Sequence, residues 1–491
     1  MASKESGKLD IETDLLKRAM DLALEHGASY ADVRVETYIS EGAQAENGLC
    51  KSVAKGAGTS VGVRALAGGS WGFASMDVPD EHGFKGVLDD SIARAVRHAK
   101  AQTRFPEVKL AKVKPVRKHI KAEFEREPID LDAKVKFVQE VSKAAKSMDT
   151  IVMSLAEVYH VDSTKHFCST EGALITQDFL RVGGDILCNA HRSGQSQTYY
   201  KPYGALGGWE FIERFDIESL ALRVANMSRR LVTEARVPKS GLTTVVTKPS
   251  FNMLKVHEIV GHPVEADRVL GGESAWAGRA WWKDLQGKRV ASPLVTAVSD
   301  ARPMEKHKGF YGTFAFDDEG VPAQRVVHLQ NGILKGFLHS RQTAYLSGAR
   351  PSGAMRANHA GLMPMIRMTN TYFEPATGGP STLEECIEDI KDGVLMGHQS
   401  IPSIDSRRYR FQISAYEAWE IKNGEVGGLL KNTAMMGTTP EYLKSINIVG
   451  GPKTWELYQI PNCGKGDPMQ IMRLSNGGPI MVGKACIQGG A

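Results

Sequence analysis

Cysteine is scarce in this chain of 491 residues: six occur, at positions 50, 168, 188, 386, 463 and 486, and none forms a C-x-x-C pair. That pattern excludes a disulfide scaffold and a zinc ribbon, and it fits a reducing compartment, so the expected location is cytoplasmic. Long apolar runs are missing too. No stretch of about eighteen apolar residues occurs, and the N-terminal MASKESGKLDIETDLLKRAM has no apolar segment behind its basic residues, so no membrane contact is expected. Aromatic residues make up 7% and the formal net charge is only +5. Neither offers what a nucleic-acid partner would require, and none is expected. No repeat with a period of twenty to fifty residues and no low-complexity segment is present.

What is present is ordinary globular material, 42% apolar and 24% charged, in a length suited to two or three domains. Asp10 can cap a helix running to His26, which Gly27 would stop, and two further helices are predicted over about 89–101 and 130–146. Alternating apolar residues predict strands over 31–38 and 59–66. β-Rich segments recur from 151 to about 208, and a helix over 216–232 closes this half. VPKSG at 237–241 marks the expected boundary. Beyond it a strand at 242–247 leads into a helix with Ser250 as its expected cap, and β signals then dominate, including 295–298, 325–329, 333–339 and 411–421. Asn331-Gly332 and Asn423-Gly424 read as hairpin turns. Helices are expected at 343–346 and at 382–393, the latter opened by a Thr382/Glu385 capping box. The expected fold class is α+β, with a mixed α/β N-terminal domain (1–236) followed by a β-rich C-terminal domain (237–491) that carries a metal site.

Some signals fail on mechanism. GPIMVGKA at 478–485 approaches a phosphate loop, but Ala485 lacks the hydroxyl for Mg²⁺ and only six residues follow. Asp317-Asp318-Glu319-Gly320 reads as an acidic turn rather than half a Ca²⁺ loop. The basic stretch 109–121 reads as a solvated connection, and Trp276, Trp281 and Trp282 read as packing or as a channel wall.

The chemistry concentrates in His257-Glu258-Ile259-Val260-Gly261-His262. Two imidazoles suit Zn²⁺ or a similar divalent transition metal, and a carboxylate beside them can serve as a general base. At i and i+5 the two histidines would stand about 140° apart on a regular helix. Gly261 and Pro263 both lower the cost of a widened turn that would bring them back together. A third donor is then required. Cys463, in Pro461-Asn462-Cys463-Gly464-Lys465-Gly466, sits in a glycine-flanked stretch with Lys465 able to favour thiolate; on its residues alone it is either that ligand or a plain loop cysteine.

Several stretches together carry a family resemblance: ASYADVRVE and GVRALAGGSWGFAS in the first half, then HEIVGHPVEAD, DDEGVPAQ with NGILKGFL, RMTNTYFEP and NCGKG. The chain resembles the TldD/PmbA metallopeptidases, in the TldD-like branch that retains H-E-x-x-x-H. The resemblance implies His257, His262 and Cys463 as metal ligands, Glu258 as general base, and Zn²⁺ as the expected metal. It also implies a dimer around an enclosed cavity, either a homodimer or a heterodimer with a PmbA-like subunit, cutting unfolded or small peptides with little sequence preference. Extended substrates could be held by strand addition. Where many relatives have Gly-Leu-Glu-Gly-Asp after the second histidine, this chain has Pro263-Val264-Glu265-Ala266-Asp267. Glu265 and Asp267 are thus kept as candidates for orienting an imidazole. The alternative is a non-enzymatic peptide-binding or regulatory subunit with a vestigial site, as in the motif-lacking PmbA-like branch.

Overall fold

The computed structural model describes residues 11–80, 82–102, 106–273 and 280–490. Asp10 and Trp276 lie outside the described residues. Helix α1 (Thr13–Glu25) buries Leu16, Ala19, Met20 and Ala23, the stripe its periodicity predicts. Strands β1 (Tyr30–Glu46) and β2 (Leu49–Ala67) form a long hairpin turning at Asn47 and Gly48, both at positive φ. Both are longer than alternation suggests. Ser40, Glu41, Gly42 and Gln44 give no apolar pattern, yet β1 is paired on both sides as far as Glu46, so the ladder carries it.

Strand β3 (Ser70–Asp77) follows, then α2 (Phe84–Ala101), β4 (Arg117–Ile120) and α3 (Leu131–Lys146). Helix α2 begins five residues before the expected Asp89, because Phe84 and Leu88 already belong to its buried stripe. Asp130 caps α3 by accepting from the Ala133 N–H. Strands β5 (Ile151–Ser169), β6 (Leu174–Arg192) and β7 (Gln195–Leu206) complete a seven-stranded sheet in the order β3-β2-β1-β5-β6-β4, with β7 also on β6. Helices α4 (Trp209–Phe215) and α5 (Ile217–Thr233) follow, and Asp216 caps the second. The 109–121 stretch contributes only the short edge strand β4, with its charges outward.

Strand β8 (Gly241–Thr247) opens the second half. It lies inside a nine-stranded sheet, parallel to Asp392–Met396 and antiparallel to Met481–Gly489. The glycine-rich GPIMVGKA stretch is therefore largely central strand. The helix expected over 382–393 is cut to Leu383–Ile387, because Val394, Leu395 and Met396 are taken into the ladder beside β8. Thr382 does cap it, accepting from the Glu385 N–H, but the Glu385 carboxylate accepts from the Ser381 N–H and so does not complete the box. The strand expected over 333–339 ends at Leu334. Farther on, the Leu338 N–H donates to the Val264 carbonyl. Asn331-Gly332 and Asn423-Gly424 form their turns at positive φ. Among the described residues no helix is long and apolar enough to cross a membrane.

The acidic turn pins the second half to the first sheet. Glu319 pairs with Arg64 at 3.2 Å and Asp318 with Lys165 at 3.1 Å, while Asp317 accepts N–H groups from Glu319 and Val321 within the turn. Arg341 adds a two-pronged pair with Glu171 at 2.8 Å. Backbone approach is equally close: a Cβ on Gly62 of β2 would lie 1.9 Å from the Ala360 carbonyl oxygen. Gly62→Ala is therefore expected to cost about 1–3 kcal/mol in urea denaturation. Gly427→Ala, whose Cβ would meet its neighbours at 3.6 Å, should change stability by less than about 0.5 kcal/mol.

Candidate metal centre

Helix α6 (Pro249–Val256) starts on Lys248 with Pro249 in its first turn, so the cap is Lys248 and not Ser250. Ser250 instead donates to the Gly397 carbonyl, and Asn252 donates to the carbonyls of Thr247 and Pro479. With its start anchored, the helix widens into a π-turn over His257–Gly261, where the His262 N–H donates to the His257 carbonyl at 3.0 Å, five residues back. Two local causes are visible. Pro263 has no N–H to offer the Ile259 carbonyl, and Gly261 faces Met368 so closely that a Cβ would lie 2.4 Å from its Sδ. The extra residue returns both imidazoles to one side, with ring centroids 4.6 Å apart and planes at 85°.

Cys463 does not occupy a loop. It lies in the strand Glu456–Lys465, paired with Gln470–Gly478, and is packed against Met253, Met368, Ile460, Met472 and Leu474. The register slips between Ile460 and Cys463, where Pro461 and Asn462 are inserted, and the turn comes later, at Gly466. Sγ of Cys463 stands 3.6 Å from Nε2 of His262. Donor atoms of His257, His262 and Cys463 all lie within 4.8 Å of one another.

Electrostatics favour the ligand form of each group. Burial pushes both His257 and His262 down to about 4, leaving neutral imidazoles. Burial opposes ionisation of the Cys463 thiol, but His262 and the Arg367 guanidinium prevail and hold it below the usual thiol range. The cation beside Sγ is thus Arg367, at 3.3 Å, rather than Lys465. Lys465 is directed to Asp267 at 2.7 Å, Glu265 at 3.2 Å and the Ile366 carbonyl. Asp267 accordingly meets Lys465. Glu265 meets the imidazole: its Oε2 lies 3.1 Å from Nδ1 of His262 and accepts from Arg268 Nε at 2.9 Å, while Oε1 accepts from the Met368 N–H. On the other ring, the Asn476 amide stands 3.0 Å from Nδ1 of His257. Burial disfavours the Glu265 carboxylate, yet Lys465, His262 and Arg268 outweigh it and keep it ionised far below the ordinary range.

These residues fit a zinc ion. Two neutral imidazoles and a thiolate-prone sulfur are its preferred donors, and bonds of about 2.0–2.3 Å in a tetrahedron place donors about 3.5 Å apart, near the 3.6 Å between His262 and Cys463. A cavity of about 430 Å³ opens beside them. Glu258 lines it, 7% exposed, with its carboxylate paired to Arg408. Arg408 sits at φ +60° in the turn after the strand Gln399–Ile404, and its carbonyl accepts from the Thr439 hydroxyl. Sequence reasoning passed over Arg367, Arg408 and Asn476. Arg408 is one of three arginines in SRRYR, and only the fold distinguishes it. Trp281 and Trp282 are buried against each other edge to face, and neither lines this cavity.

Comparison with known proteins places most of the chain in one family. Family models described as PmbA/TldA metallopeptidase domain 1, central domain and C-terminal domain match residues 31–103, 125–233 and 240–482. A "Metalloprotease" of Methanothermobacter thermautotrophicus is 32% identical over 475 residues, covering 96% of this chain and 97% of that protein. A "Zinc metalloprotease TldD homolog" of Saccharolobus solfataricus is 27% identical, covering 97% and 99%. Among solved structures, TldE from Thermococcus kodakarensis superposes with a TM-score of 0.71 at 15% identity, covering 97% of this chain and all of that one, a likeness of fold.

Replacing Glu265 by Gln leaves Lys465 and Arg268 short of their shared buried anion, so Glu265→Gln is expected to lose about 3 kcal/mol or more in urea denaturation. Acid should act through the histidines. His257, His262 and His328 hold off protonation until about pH 4, whereas their unfolded-state value is near 6.5. Between these values the unfolded chain binds more protons, so stability rises with pH across the window. The metal-free protein should therefore melt at steadily lower temperature as pH is taken from 7 to 4 in a calorimetric series.

Proposed function

The chain belongs to the PmbA/TldD metallopeptidase family, and from that premise we propose that it is a zinc-dependent peptidase acting on unfolded or small peptides, with Glu258 as general base. The observation that carries this reading is the convergence of His257, His262 and Cys463, from a π-turn and a strand about two hundred residues apart, beside a carboxylate that lines the same cavity. Zn²⁺ held by these three residues would supply a Lewis acid for the scissile carbonyl and acidify the attacking water.

The chain's own residues do the rest. Glu258 takes the proton of the attacking water and returns it to the leaving amine. Arg408, paired to its Oε2, holds that carboxylate in place on the cavity wall. Glu265 and Asn476 fix the rings of His262 and His257 from behind. Arg367 supports the Cys463 thiolate.

Substrate shape follows from the strands around the cavity. Gln399–Ile404 ends the nine-stranded sheet and Glu456–Lys465 ends the six-stranded one, and residues of both line the cavity, with Ile401 largely exposed. Two strand edges that no other strand pairs among the described residues, beside the catalytic carboxylate, favour extended peptides held by main-chain hydrogen bonds. Such binding reads little side-chain identity, in keeping with loose specificity. The proposal includes a cytoplasmic dimer, homomeric or with a PmbA-like partner, enclosing the cavity.

Metal analysis and hydrolysis of an unstructured peptide test the reading. Glu258→Gln should keep its zinc and lose about 10²–10⁴-fold in kcat. Cys463→Ala should lose metal occupancy. A Glu258→Gln variant as fast as wild type would overturn the assignment of the base, and full zinc content in Cys463→Ala would overturn the ligand set.

A further inference from the structure

A second and larger cavity, about 650 Å³, lies between the first sheet and the second half of the chain. It shares no lining residue with the cavity beside His262. The two are close neighbours all the same: Met472, which lines the larger cavity, is the ladder partner of Cys463.

Three arginines line the larger cavity, Arg181 from β6, Arg356 from the two-residue strand Met355–Arg356, and Arg473 from the strand Gln470–Gly478. Each guanidinium rests on an aromatic face: Arg181 on Phe179 at 4.5 Å, Arg356 on Phe314 at 4.9 Å and Arg473 on Tyr159 at 5.2 Å. Among the described residues no carboxylate forms an ion pair with any of the three. Of the acids on the wall, Asp77 is exposed, whereas Glu36 and Asp318 are engaged. Lys165 takes Asp318 at 3.1 Å and Glu36 at 3.8 Å, and the same two carboxylates accept the N–H groups of Ala357 and Ala360. Nε of Arg356 and Nε of Arg473 are sealed from solvent with no hydrogen-bond partner. Burial, together with repulsion from Arg367 and Arg181, pushes Arg356 down to about 10.

Desolvated guanidiniums without counter-ions are costly, and aromatic faces relieve only part of that cost. Their planar donor forks match carboxylate and phosphate oxygens. A volume of about 650 Å³ falls within the range of small-molecule sites. We propose that this cavity binds a small ligand bearing two or more oxyanion groups, carboxylates or phosphates, gripped by Arg181, Arg356 and Arg473. The aromatic residues hold the arginines in place for it, and the hydroxyls of Ser163 and Thr313 add uncharged polar groups to the wall.

The two sources of such oxyanions are separated by probe. Pyrophosphate and glutarate are each titrated into the intact protein by calorimetry, and whichever saturates at one site per chain identifies the chemistry. Arg473→Gln and Arg181→Gln should each weaken that binding about tenfold, the loss of one charge-assisted contact. Phenylglyoxal labelling of the wild-type protein, mapped by mass spectrometry, gives a readout that needs no variant to fold. The bound probe should slow modification of Arg181, Arg356 and Arg473 while leaving the exposed Arg97 unprotected. Absence of saturable binding by both probes, or protection of Arg97 equal to that of the three, overturns the proposal. Because the cavities share no lining residue, that failure would leave the metallopeptidase reading as it stands.

Discussion

Glu265 is fully buried, and four donors converge on its two oxygens: the Nδ1 side of His262, Arg268, Lys465 and the Met368 N–H. Each belongs to a different part of the site. His262 ends the π-turn, Arg268 lies in the short helix after it, Lys465 ends the strand that carries Cys463, and Met368 packs against Gly261. One carboxylate thereby ties together the two segments that bring the candidate ligands from opposite ends of the second half. Remove its charge and the cations around it have no common focus. Sγ of Cys463 and Nε2 of His262 face each other because Glu265 fixes the back of one residue and the strand of the other.

The candidate ligand residues were legible because imidazole, carboxylate and thiol are rare enough to be searched for by type, and because His257 and His262 fall within six consecutive residues. Their geometry was legible only by elimination: a straight helix would have separated them, so either the helix or the motif had to give way. The supporting residues were not legible. Arg367, Arg408 and Asn476 act through positions set by long-range pairing, and nothing in their neighbours distinguishes them from other polar residues. Lys465 shows the error that results. Next but one to Cys463 in sequence, it looked like the thiolate's partner, but two buried carboxylates offer it far more than a sulfur does.

In the fold, helices with clear apolar stripes, such as α1, α3 and α5, were readable nearly to their ends. Strands were readable where one face is buried and were underestimated where pairing on both sides holds a polar stretch, as in the distal half of β1. Residues 382–393 show the opposite failure. A good cap and acidic first turn announced a helix, and the ladder beside β8 claimed its second half. Local preference lost to tertiary pairing in both cases.

The π-turn also constrains how this site can change over evolutionary time. Its entrance is held by Ser250 and Asn252, and its exit is stitched to Leu338 by hydrogen bonds from Leu338 to Val264 and from Ala266 to Leu338. Between these fixed ends a residue can be gained or lost only where the turn itself widens or narrows: deleting one residue between the histidines would close the π-turn to a regular one and leave them at i and i+4 on one face. Glu265, beyond the turn, would keep its place between Arg268 and Lys465. The longer spacing and the shorter H-E-x-x-H are thus related through one widened turn, with the anchors on either side unchanged.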